Sequence, residues 1–124
     1  MATLKTDLRA RLVPHIKIWL KIDDESAICF GLSEMLRTID EVGSIKRAAA
    51  ELGKSYRYVW GRIKKVENAL GVRLVETQIG GKGAQRSYLT KEAQQLVTDF
   101  QAVSYRMLDA VRKEFARRRS WTRT

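Results

Sequence analysis

The sequence predicts a mainly α-helical fold with a small β-hairpin and a long C-terminal helix. Between residues 32 and 70, apolar residues recur at helical spacing in consecutive stretches, and glycines separate these stretches. The glycine-rich segment "IGGKG", residues 79–83, then lies between two short strand-like stretches. An apolar stripe from residue 93 to residue 115 follows and predicts the long helix.

Composition and charge indicate a polyanionic partner. The 124 residues are 44% hydrophobic, which is enough for one compact domain with a core. Residues 44–91 hold eleven basic and three acidic residues and so supply +8 of the net charge of +10. This concentration favours nucleic acid or an anionic membrane surface over an acidic small molecule, and a uniformly solvated basic coat is the alternative.

The sequence also argues against several classes of protein. No apolar run approaches the roughly 20 residues that span a bilayer, and the N-terminus lacks an apolar signal segment. We therefore expect a cytoplasmic protein without a membrane partner. The single Cys29 lies in the apolar run "AICFGL", which predicts a buried thiol. Because the chain has one cysteine and one histidine, His15, it offers neither a set of zinc ligands nor a pair of nucleophile and base. We expect no metal, no catalytic residue and no enzymatic activity.

The N-terminal part is predicted to contain one strand. Residues 1–13 form a basic lead, and "HIKIWLKI", residues 15–22, alternates apolar and polar side chains as a half-buried strand does. The acidic residues 23–25 that follow predict a solvated turn, because three adjacent acids fit no common metal loop.

Glycines and serines then delimit the predicted helices. The first helix starts at Leu32 and ends at Gly43, where a left-handed cap is easiest for glycine. Ser44 caps a short second helix that ends at Gly53. A third helix runs from Ser55 to about Leu70, with Gly71 as its stop.

The third helix has two contrasting faces. Helical spacing places Tyr56 and Trp60 on the same face as Val59, Ile63 and Val66, so we expect both aromatic residues to lie in the core. The opposite face is basic and contains no acidic residue. It carries Arg57, Tyr58, Gly61, Arg62, Lys64, Lys65 and Asn68.

The C-terminal half predicts a hairpin and a dimerisation helix. "VRLVETQ", residues 72–78, and "AQRSYLT", residues 84–90, are the strand candidates on either side of the glycine-rich tip. Thr90 caps the last helix, which spans residues 90–118 and would be roughly 40 Å long. A globule of this size cannot cover such a helix alone, so we expect part of the stripe to pack against a second copy. Residues 119–124 are expected to be a mobile basic tail.

Together these elements form a winged helix-turn-helix over residues 14–89. The second and third helices join through a turn that contains Gly53, and the hairpin is the wing. Residues 55–70 would enter the major groove, and residues 79–86 would lie on the adjacent backbone or groove. Arg57 and Arg62 suit guanine, whereas Lys64 and Lys65 suit phosphates. The predicted DNA-binding residues are Ser44, Ser55, Arg57, Tyr58, Gly61, Arg62, Lys64, Lys65, Lys82, Gln85 and Arg86.

These motifs resemble a known family. "GSIKRAAAELGKSYRYVWGRIKKVENALGVRLVET", followed by "GGKG" and "YLT", resembles the N-terminal DNA-binding domain of the ModE family of molybdate-responsive transcriptional regulators. It is more distantly similar to the winged helix of LysR-type regulators. The resemblance covers residues 16–111 and implies a homodimer on a palindromic operator, with the first strand and the last helix in the dimer core.

The resemblance also bears on effectors and function. Family members sense molybdate through a separate C-terminal module, which these 124 residues are too short to contain, so we expect no cofactor and no molybdate site. The leading hypothesis is a sequence-specific, dimeric, DNA-binding transcriptional regulator. The alternatives are a non-specific architectural nucleic-acid-binding protein and a winged helix that docks a protein partner.

Overall fold

A computed structural model of the chain describes residues 10–24 and 26–118. These described residues fall into two compact units. One is Ile18–Phe100, and the other contains residues 10–17 and 101–118. Most of the predicted basic lead, residues 1–9, and the predicted mobile tail, residues 119–124, lie outside the described residues.

The first unit begins with a short hairpin. Strand β1 (Leu20–Ile22) pairs antiparallel with β2 (Ser26–Ile28), and Leu20 lies opposite Ile28. The predicted strand over residues 15–22 is therefore right only for its last three residues, and β2 was not predicted. Asp23 and Asp24, both with positive φ, lie in the turn between the strands.

Helices α1 (Phe30–Val42), α2 (Ile45–Leu52) and α3 (Tyr56–Leu70) confirm the predicted helices. Gly43, Gly53 and Gly71 end them with φ of 74°, 68° and 74°. Ser44 Oγ accepts the Arg47 N–H at 3.1 Å, and Ser55 Oγ accepts the Tyr58 N–H at 3.0 Å. Both predicted serine caps are thus confirmed.

The predicted wing and last helix are also present. Strands β3 (Val75–Ile79) and β4 (Gln85–Leu89) pair antiparallel, and a short 3₁₀ turn, Gly81–Gly83, forms the tip. Helix α4 (Lys91–Arg117) follows, and Thr90 Oγ1 accepts the Ala93 N–H at 3.2 Å. Within the described residues, no helix is long and apolar enough to cross a membrane.

The core of the first unit lies where α1, α3 and the start of α4 meet. Small residues Ala48 and Ala49 bring α2 close to this core. Its most deeply buried side chains include Leu32, Leu36, Ile39, Val59, Ile63, Val66, Leu74, Ala93 and Phe100. Beyond Phe100, the predicted apolar stripe of α4 is more exposed: Val103 and Met107 are each 46% exposed.

Candidate nucleic-acid interface

The turn between α2 and α3 is fixed by backbone hydrogen bonds. The Gly53 N–H donates to the Ala50 carbonyl at 3.2 Å, and the Lys54 N–H donates to the Ala49 carbonyl at 2.9 Å. These bonds satisfy carbonyls that the end of a helix leaves without partners. Ser55 satisfies an N–H at the start of α3 in the same way. The direction in which α3 leaves the turn is therefore set locally.

An exposed line of residues runs along α3. Arg57, Gly61 and Lys65 follow one another at four-residue intervals, so they lie on one side of the helix, and all are exposed. A Cβ atom added to Gly61 would meet no atom of the described residues within 4 Å, and its backbone is helical. Neither the packing nor the backbone of the described chain requires glycine at this position.

The aromatic residues of α3 are exposed, contrary to the prediction for two of them. Tyr56 is 50% exposed and Trp60 is 43% exposed, so their placement in the core was wrong. The buried side of α3 is centred on Val59 and Ile63, and Tyr56 and Trp60 lie at its border. Tyr58 is 48% exposed, and Lys54 Nζ lies 5.7 Å from its ring centroid.

Lys64 has a partner inside the chain. Its ammonium lies 3.0 Å from Glu67 Oε1, and Glu67 is buried. Glu67 Oε2 accepts the Leu74 N–H at 2.7 Å and the Val75 N–H at 3.2 Å. Burial raises the pKa of Glu67, but these hydrogen bonds and the Lys64 ammonium outweigh it and lower that pKa below its ordinary value. The predicted phosphate-binding Lys64 is thus part of an internal ion pair.

Arg62 lies on the other flank of α3. It is half-buried, and its Nη2 is 3.5 Å from Cys29 Sγ, a distance typical of a weak hydrogen bond to sulfur. Cys29 itself is half-buried, so the predicted burial of its thiol is incomplete.

In residues 10–24 and 26–118, no three His, Cys, Asp or Glu side chains form a group that could hold a metal ion.

The wing is attached to the end of α1. Arg86 Nη2 donates to the Asp40 carbonyl at 3.1 Å, the Ser87 N–H donates to the Gly43 carbonyl at 2.8 Å, and the Leu89 N–H donates to Asp40 Oδ1 at 3.2 Å. Lys82 in the tip and Gln85 at the start of β4 are exposed, as is Arg86. Of the wing residues predicted to bind DNA, Arg86 is therefore bound to α1, and its long side chain packs beside Gly43.

Two contacts that organise this surface were not found from the sequence. Glu67 is the single acidic residue of α3, and it falls one turn after Ile63 on the apolar face. An acid on an apolar face is the signal that could have indicated a buried, hydrogen-bonded carboxylate. Asp40 gives no such signal, because its partners Arg86 and Leu89 are almost fifty residues away.

Comparison with known proteins finds similarity to bacterial helix-turn-helix regulators. The family described as "Bacterial regulatory helix-turn-helix protein, lysR family" matches residues 31–94, which is more than half of the chain. The Molybdenum transport protein ModE of Herbaspirillum seropedicae is 32% identical over 114 residues, covering 92% of this chain. The Molybdenum-pterin-binding protein MopB of Rhodobacter capsulatus is 32% identical over 69 residues, covering 56% of this chain.

The chain spans only part of these relatives, 40% of the length of ModE and 26% of MopB. Residues 31–94, which the family model matches, contain the α2–α3 turn, the exposed basic helix and the wing. With this match, the chain belongs to the lysR family of bacterial regulatory helix-turn-helix proteins, with a ModE-like DNA-binding domain.

Proposed function

We propose that the chain acts as a sequence-specific transcriptional regulator that binds a palindromic operator as a homodimer. In this proposal α3 enters the major groove, and the wing lies on the adjacent backbone or groove. The observation that carries the proposal is the exposed line formed by Arg57, Gly61 and Lys65 on α3.

Gly61 is the most informative residue of that line. A glycine inside an exposed helix costs about 1 kcal/mol relative to alanine. Because a Cβ would meet no atom of the described residues within 4 Å, packing of the described chain gives no reason for this cost. The major groove, about 12 Å wide, admits one helix, and a missing side chain lets the helix approach the bases closely. In this proposal, close approach to DNA is the reason for a glycine at this position.

The neighbouring side chains fit distinct roles. Arg57 lies near the N-terminus of α3 and carries a forked guanidinium suited to guanine O6 and N7. Lys65 suits a phosphate, and the hydroxyl groups of Ser44 and Ser55 cap helices whose N-termini favour phosphates. Tyr58 borders the same surface, and Lys82 and Gln85 are free to reach DNA from the wing tip.

The internal partners refine the remaining assignments. Lys64 is held by Glu67 and Arg86 by the Asp40 carbonyl, so we assign both to positioning the interface. Arg62 would exchange its weak contact with Cys29 for a base or phosphate, and we rank it after Arg57 as a reader of sequence.

Mutation of Arg57 and Lys65 tests the proposal. An operator would be selected from random duplexes, and affinities for it and for random DNA would be measured over a range of salt concentrations. Arg57→Ala should lose roughly 1–3 kcal/mol on the operator and much less on random duplex. Lys65→Ala should weaken both complexes and reduce the slope of log affinity against log salt by about 0.9.

Arg37→Ala is the control, because its guanidinium is already bound by Glu34 and Glu41 on α1. Unchanged operator affinity in Arg57→Ala would contradict the assignment of α3. Equal wild-type affinity for operator and random duplex would support the architectural alternative. Absence of duplex binding at low salt would support a protein-docking winged helix.

We propose no cofactor and no catalytic activity for the chain. The molybdenum functions named for its relatives belong to proteins of which it spans 40% and 26%, so they are not carried over. Addition of molybdate to the operator-binding assay should leave the affinity unchanged. A regulator that binds chromosomal DNA works in the cytoplasm, which is the location we propose.

A further inference from the structure

Trp60 is a large apolar side chain that the fold leaves partly in solvent. It is 43% exposed, it precedes Gly61 on the helix assigned to DNA, and Tyr56, one turn earlier, is 50% exposed. Arg57, three residues before Trp60 and so its neighbour on α3, is exposed and basic. A surface that combines an aromatic ring with basic side chains is complementary to a polyanion that also presents apolar groups.

The ring is held in place by a chain of contacts. Lys64 Nζ lies 5.6 Å from the Trp60 ring centroid and 3.0 Å from Glu67 Oε1. Glu67 is in turn fixed by the N–H groups of Leu74 and Val75. Trp60, Lys64 and Glu67 follow at i, i+4 and i+7, so they form a line from the exposed ring to a buried anchor. A side chain ordered before binding loses less entropy in the complex.

Duplex DNA presents one apolar group in the major groove, the 5-methyl group of thymine, and side chains recognise it by apolar contact. We propose that Trp60, flanked by Tyr56, reads a thymine methyl group in each operator half-site, and that Lys64 and Glu67 are positioning residues for its ring. This inference rests on the proposed function, because it requires α3 to lie in the major groove.

Replacement of thymine by uracil tests the inference, because it removes the methyl group and leaves the pairing unchanged. Each thymine of the selected operator would be replaced in turn, and affinity measured by fluorescence anisotropy. Wild-type protein should lose affinity about fourfold at one position per half-site, the factor expected for one buried methyl-sized group. Trp60→Ala should bind the thymine and uracil operators equally, and Trp60→Phe should keep part of the difference.

Tyr105→Ala is the matched control, because it removes an exposed aromatic ring on α4 and should keep the full ratio of thymine to uracil affinity. If Trp60→Ala fails to fold, Trp60→Gln removes the ring with a polar residue that suits an exposed helix position. Sensitivity to uracil that persists undiminished in folded Trp60→Ala or Trp60→Gln overturns the inference.

The positioning role has a separate readout. With Trp19 and Trp121 changed to phenylalanine, fluorescence reports Trp60 alone, and operator binding should protect it from acrylamide quenching. Lys64→Met should increase quenching in the free protein and reduce the uracil effect, and Lys64→Arg should restore both. Quenching unchanged by Lys64→Met would overturn the positioning role.

The test also separates this inference from the function on which it rests. If Arg57→Ala weakens operator binding but no uracil position matters, the reading of thymine by Trp60 is wrong and the placement of α3 stands. If Arg57→Ala and the Trp60 variants all bind the operator as wild type does, the placement of α3 itself is wrong.

Discussion

Glu67 joins α3 to the start of β3 through a buried carboxylate. One oxygen receives the N–H groups of Leu74 and Val75, and the other receives the Lys64 ammonium. A charged group is costly to bury unless its hydrogen bonds are made, and here donors from the backbone and a cation make them. Glu67 therefore ties the start of the wing strand directly to α3.

Stability should depend on pH through Glu67. Because its pKa is lower in the folded chain than its ordinary value of 4.5, it contributes stability that is fully present above the unfolded pKa. That contribution is lost as the pH falls through the folded pKa. We expect the free energy of unfolding in urea to decrease from about pH 4.5 downward. Glu67→Gln should cost roughly 1–3 kcal/mol at pH 7 and show a weaker acid dependence.

Glu51→Gln, at an exposed position on α2, is the control and should leave both the stability and its pH profile close to wild type. An acid profile in Glu67→Gln that matches wild type would show that other carboxylates cause the loss of stability.

At the residue scale, local chemistry was predictable and borders between faces were not. Ser44 and Ser55 were identified as caps because a cap bonds to an N–H three residues along the chain. Tyr56 and Trp60 were misplaced because helical periodicity gives the direction of the buried face and not its width. The contact from Arg86 to Asp40 depends on tertiary structure, which no local pattern contains.

The element scale is dominated by the attachment of the wing to α1. Gly43 ends α1 in the left-handed region, its carbonyl accepts the Ser87 N–H, and its missing side chain leaves room for Arg86. A Cβ at this position would collide with the guanidinium of Arg86. Gly43 therefore ends α1 and also holds strand β4 by a hydrogen bond.

Gly43→Ala and Gly53→Ala should separate these two roles. Both glycines have positive φ, but a Cβ at Gly53 would meet no described atom within 4 Å. We expect Gly53→Ala to cost about 1 kcal/mol from backbone strain. Gly43→Ala should cost about 0.5–1.5 kcal/mol more, because Arg86 must leave its bond to Asp40. Urea unfolding measures both values.

The double variant Gly43→Ala with Arg86→Ala is the control for this difference. With Arg86 already truncated, Gly43→Ala should cost only as much as Gly53→Ala. Equal costs for the two glycines in the presence of Arg86 would mean that the guanidinium moves aside without loss.

The sequence was sufficient for most elements because their signals are local. Periodicity and glycine stops located α1, α2 and α3, and the glycine-rich tip located the wing. The first strand was predicted too long because alternation indicates a strand without giving the length of its partner. Its partner β2 has three residues, and pairing ends where β2 ends. A three-residue strand is too short to give a period of its own.

At the scale of the whole molecule, α4 is the proposed dimer element. Val103 and Met107 are exposed on the apolar stripe that contributes Ala93, Val97 and Phe100 to the core of the first unit. An apolar stripe in solvent is costly, and a second copy of the same helix offers a complementary surface.

Replacement of this exposed stripe should break the dimer. Val103→Ser with Met107→Ser should shift the protein toward monomers in sedimentation equilibrium and weaken binding to the full palindrome. Affinity for an isolated half-site should stay near wild type, because α3 and the wing are unchanged. Lys113→Ser, which removes a cation paired with Asp109 on the same helix, should remain dimeric. A double variant that still sediments as wild type would place the dimer contact elsewhere.

The attachment of β4 to α1 also affects how the chain behaves among its neighbours. Unpaired N–H groups on an open strand edge are a template on which strands of other molecules add, and this addition leads to aggregation. On β4, the N–H groups of Ser87 and Leu89 already donate to Gly43 and Asp40. At these two positions, β4 therefore offers no free N–H group to which a strand of another copy could add, even at high protein concentration.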